Sequence, residues 1–207
     1  PPDPPLPPTP PTEAAWEAPR RKGLEAFGEG NWLMAWTQLE EAERLGAKDV
    51  SDKKVQAQVK EQIKKGQDEK DVDKALTFFN KALDIKDDDA VRTLIRTTTF
   101  RKWQESAKGN EGGDWAKAAA DWKKAIEFAE ESQLEEMRAN HKYCATFSDA
   151  VTARTSKDWP RAVELYTELA KRPGRYAATI ELERDNAEKQ LKAAIETAAR
   201  EARKEFD

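Results

Sequence analysis

Four times along this chain the same helix opening recurs: NWLMAWTQLEEA from Asn31, DVDKALTFFNKA from Asp71, DWAKAAADWKKA from Asp114 and DWPRAVELYTEL from Asp158, spaced by about 40 to 44 residues. Each copy opens on Asn or Asp, whose short side chain accepts hydrogen bonds from the orphan amides of a helix's first turn. A large apolar residue follows at Trp32, Val72, Trp115 and Trp159. Three residues further stands alanine in every copy, at Ala35, Ala75, Ala118 and Ala162. Bulk returns four residues later with Leu39, Phe79, Trp122 and Tyr166, and Ala42, Ala82, Ala125 and Leu169 complete the stripe. Spacings of three and four place all of these on one helix face, where the alanine lets a second axis come close and the larger residue fills the space beside it. A repeat of this length cannot bury its apolar face alone, so neighbouring units must stack.

A further helix precedes each copy, over residues 13–28, 51–66, 88–108 and 134–155. The connections within a pair are short and polar (Gly28-Glu29-Gly30, Gln67 to Lys70, Ser156-Lys157), with a longer glycine-rich turn from Gly109 to Gly113 in the third. Short connections make each pair an antiparallel hairpin. The expected fold class is therefore all-α, with four helix pairs at about 13–46, 51–86, 88–132 and 134–172. The Pro173-Gly174 break ends the fourth pair. One long helix follows over 175–206, with Ile180, Ala187, Leu191, Ala194, Ala198 and Ala202 stepping along it as either a cap on the last pair or a self-association seam.

Ahead of the repeats, eight of the chain's 11 prolines fall in residues 1–12. Proline fixes φ and removes a donor, so this stretch favours extended polyproline II: a stiff spacer, or a ligand for a proline-binding module. The chain opens on Pro1 rather than methionine, which fits a processed product or a piece of a longer polypeptide, tethered through this segment.

Helix pairs with alanine entering the second helix, an aromatic four residues on and alanine three beyond resemble the tetratricopeptide repeat, whose usual length is about 34 residues. Gly23, twelve residues ahead of Ala35, falls where that family places a glycine in the first helix. The chain departs from the pattern in its longer spacing, in Ile63 and Ala150 at the positions matching Gly23, and in lacking the closing proline after its first three units. The resemblance covers residues 13–172. It implies a right-handed superhelix whose concave face, lined by the first helices, holds a peptide or a partner helix. On that face the first helices would present Arg20, Lys60, Lys64, Arg101, Lys108 and Arg154, a basic stripe suited to an acidic peptide or a chain's terminal carboxylate.

Little in the chain points to catalysis. The only histidine is His141, which leaves no histidine pair for zinc, and the only cysteine is Cys144, expected as a small buried residue. Gly109, Gly112 and Gly113 lack the strand and lysine-serine ending of a phosphate loop. Asp87, Asp88 and Asp89 read as helix-start residues rather than a cation loop. No cofactor or metal is expected. With 36 Lys and Arg against 40 Asp and Glu, a net charge of -4 and 37% charged residues in all, the chain has no broad basic field for nucleic acid. No run reaches the roughly 20 apolar residues of a membrane span, and a soluble, cytoplasmic setting fits best. Trp16, Trp36 and Trp103 stand outside the repeated positions and would serve as binding anchors if exposed.

Three readings follow. The first is a non-enzymatic protein-binding scaffold; the second is an assembly protein that oligomerises through its repeats or terminal helix; the third, more remote, is a regulatory helical domain of a larger enzyme.

Overall fold

The computed structural model describes residues 14–172, 174 and 176–204; the proline-rich stretch, Glu13, Pro173, Arg175 and the last three residues lie outside it. Among the described residues every regular element is an α-helix. The described residues divide into two compact units, one ending at Thr98 and the other beginning at Thr99.

The first unit holds α1 (Glu17–Gly28), α2 (Trp32–Arg44), α3 (Ser51–Asp68), α4 (Val72–Ile85) and the opening of α5 (Asp89–Asn110). α1 packs on α2, α2 on α3 and α3 on α4. The second unit holds the remainder of α5, then α6 (Trp115–Phe128), α7 (Glu131–Thr155), α8 (Trp159–Ala170) and α9 (Ala177–Lys204). Here α6 packs on α7, α7 on α8 and α8 on α9.

The four expected caps all form. Asn31 accepts from the Met34 amide at 3.3 Å, Asp71 from the Asp73 and Lys74 amides at 3.0 and 3.1 Å, Asp114 from Lys117 at 2.9 Å and Asp158 from Arg161 at 3.2 Å. Each such cap contributes about 1 kcal/mol.

The stripe behind each cap is the core. Ala35, Leu39, Ala42, Ala82, Ala118, Ala125, Ala162 and Tyr166 are fully buried, and Ala75, Phe79, Trp122 and Leu169 are at most 3% exposed. Trp32, Val72, Trp115 and Trp159 are half-buried, so they seal the edge of each pair rather than its centre.

Close approach is managed differently in each hairpin. A Cβ on Gly23 would stand 2.7 Å from Leu39 Cγ, so in the first pair the expected glycine does what the helix contact requires. In the second, Ile63 is only half-buried; Gly66, three residues further on, is buried against the Phe79 ring, and α3 continues through it to Asp68. Gly66 is thus an interior contact and not a helix end. Ala150, fully buried, takes the place of Gly23 in the fourth pair; in the third that place falls to Ser106, half-buried, with the fully buried Ala107 beside it.

Other boundaries shift as well. α7 begins at Glu131, three residues ahead of Leu134, because the Gln133 side chain accepts from the Glu130 amide at 3.0 Å. Residues 131 and 132 therefore open the fourth pair rather than close the third.

Candidate functional site

Two of the six cations expected to face a partner are already paired within the chain. In the first unit, the Arg20 Nε on α1 donates to both carboxylate oxygens of Asp49, at 3.1 and 3.0 Å, tying α1 to the α2–α3 connection. The hydrogen bond from Arg20, followed by its charge, holds the Asp49 carboxyl below its ordinary value. In the second unit, Arg154 Nη1 near the end of α7 donates to both oxygens of Glu183 on α9, at 2.6 Å each. Charge-assisted contacts of this kind are about twice as strong as neutral ones.

The other four cations are exposed. Lys60 and Lys64 stand one turn apart on α3 in the first unit, and Arg101 and Lys108 stand seven residues apart on α5 in the second. Spacings of four and seven put each pair on one helix face.

Around Arg154 and Glu183 the second unit gathers its aromatic residues. Trp115 stacks on Phe147 with ring centroids 4.0 Å apart, and Tyr176 meets the Trp115 face edge-on at 4.8 Å. Tyr166 is fully buried, with Phe147 edge-on to it at 6.1 Å. Burial pushes the Tyr166 hydroxyl above its ordinary pKa, Glu183 adding to the effect and Arg154 opposing it. A cavity of about 340 Å³ lies among Trp115, Phe147, Arg154, Tyr166, Tyr176 and Glu183. Gly112, at φ +88°, bounds it; the turn needs the left-handed conformation, and Tyr176 packs where a Cβ would project.

The three tryptophans that would serve as anchors if exposed are each half-buried. Trp16 is half-buried against Leu39, Ala42 and Val50, and Trp36 against Ala26, Ala35 and Ala57. Trp103 packs on the α6–α7 core and carries Lys124 Nζ 3.9 Å from its ring centroid, a cation–π contact.

Cys144 is fully buried, and its thiol points to Glu111 Oε1 at 3.9 Å, the oxygen that also accepts from Trp122 Nε1 at 3.0 Å. Asp88 does helix-start work, accepting from the Ala90 amide at 2.8 Å. His141 is half-buried on α7. Asp121 was not anticipated: 3% exposed, it accepts from Ser106 Oγ at 2.6 Å and Asn110 Nδ2 at 3.0 Å, fastening α5 to α6. Its place one residue before Trp122 in the repeated stripe was the signal available. No group of three or more His, Cys, Asp or Glu side chains among the described residues is placed to hold a metal ion, and no helix there is long and apolar enough to cross a membrane.

No family model, curated protein or solved structure matches the chain.

Proposed function

We propose that this chain is a non-enzymatic, tetratricopeptide-like scaffold that binds a peptide or helix of another protein on the faces presented by the first helices of its pairs. The observation that carries the reading is the repetition itself: four capped helices, each with a buried alanine contact at the same place in its stripe. Stacked pairs of this kind expose long helix faces whose side chains are free to vary without disturbing the core. Exposed cations on those faces, Lys60 with Lys64 and Arg101 with Lys108, favour an acidic partner segment. Affinity capture with the chain as bait tests this. Neutralising Arg101 and Lys108 together to Gln should reduce recovery of a captured partner severalfold and flatten its salt dependence; full recovery would remove the acidic-segment assignment.

A second reading, self-assembly, is favoured by α9. Ile195 is 60% exposed and Leu191 only half-buried, and residues 192–204 are exposed throughout. If these side chains join copies, mass measured by light scattering rises with concentration, and Ile195→Lys abolishes the rise. A constant monomer mass over the range would dismiss it.

A further inference from the structure

Within the second unit, α9 lies against α8 and the aromatic cluster in the way a bound helix lies in a groove. Tyr176 just ahead of it, then Ile180, Glu183 and Ala187, stand at intervals of four, three and four, the anchor spacing of an amphipathic helix laid on a partner. Each anchor meets a matching feature. Tyr176 fits against Trp115 and Gly112, Ile180 and Ala187 are 1% exposed in the cluster built on Phe147 and Tyr166, and Glu183 receives Arg154. The acidic group expected for Arg154 is thus supplied by the chain itself.

The hold of α9 is narrow. Of its 28 residues only Ile180 and Ala187 are buried, whereas the 12 residues of α8 bury Ala162, Leu165, Tyr166 and Leu169. Elements with few buried apolar contacts open at lower free energy than the core they rest on.

We infer that the surface beneath α9, formed by Trp115, Phe147, Arg154 and Tyr166, is a docking site for a partner's amphipathic helix bearing an aromatic residue, an aliphatic residue four later and a carboxylate three beyond that, and that α9 occupies this site in the partner's absence. The inference rests on the protein-binding reading and names the partner's chemistry. The tether makes α9 a strong competitor, since a linked segment acts at an effective concentration in the millimolar range. An incoming helix must therefore bind better than α9 or meet a chain in which α9 is weakened.

Two measurements on the full chain test this. Native-state hydrogen exchange should show α9 amides opening at lower free energy than those of α7 and α8; exchange of all three as one cooperative unit would make α9 an integral cap and overturn the proposal. A fluorescent peptide of residues 174–190 should bind Ile180→Lys or Glu183→Gln chains at least tenfold more tightly than the unaltered chain, with Arg154→Gln removing the gain. Glu183→Gln keeps the size of the side chain and decides the matter if Ile180→Lys does not fold. Folded variants that bind the peptide no better than the unaltered chain would sink it. Either failure leaves the protein-binding reading standing wherever partner capture persists with α9 in place.

Discussion

At the scale of single residues, Gly66 shows how a packing demand overrides local preference. Glycine inside a helix costs about 1 kcal/mol relative to alanine, so its place within α3 needs a reason, and the Phe79 ring resting on it supplies one. Gly66→Ala forces a methyl into that ring at about 1–3 kcal/mol of overpacking, which outweighs the helix gain. Gly109, inside α5 with no neighbouring group within 4 Å of where a Cβ would stand, has no such constraint, and Gly109→Ala should stabilise by about 0.5–1 kcal/mol. Urea unfolding should move in opposite directions for the two variants. Asp49 makes a second residue-scale test. Its carboxyl is depressed below the unfolded value by Arg20, so its contribution is present above the ordinary carboxylate range and disappears as pH falls through the depressed value. The melting temperature of Asp49→Asn should lie below that of the unaltered chain at neutral pH, and the gap should close as the solution is acidified below the ordinary carboxylate range. The pair is exposed, so the gap at neutral pH is small.

At the scale of helices, legibility followed chemistry that is local in sequence. Asn31, Asp71, Asp114 and Asp158 marked four helix starts because a cap and the amides it serves lie within three residues of each other. Alanine and bulk alternating at helical spacing marked the buried face for the same reason. The start of α7 escaped because glutamate is a weak cap, and the Gln133 contact that stands in for one is seen only once the turn exists. The helix expected to end at Gly66 runs on to Asp68, because this glycine serves a packing contact and not a helix end. Its real partner, Phe79, lies on the next helix.

For the molecule as a whole, the all-helical class and the packing of neighbouring helices could be read in advance, and the pairing of charges could not. Arg20 and Asp49, like Arg154 and Glu183, are 29 residues apart in sequence. Nothing in either segment marks its partner, because that choice depends on how one helix layer settles on the next. The same holds for Trp16, Trp36 and Trp103, whose partial burial is decided by neighbouring elements. The buried thiol of Cys144 bears on the lifetime of the folded second unit. It is the chain's only cysteine and sits in the α5–α6–α7 core, where no reagent reaches it until the helices part. Its modification rate at saturating reagent is then the rate at which that core opens, so the chain carries its own clock for the residence time of its closed form.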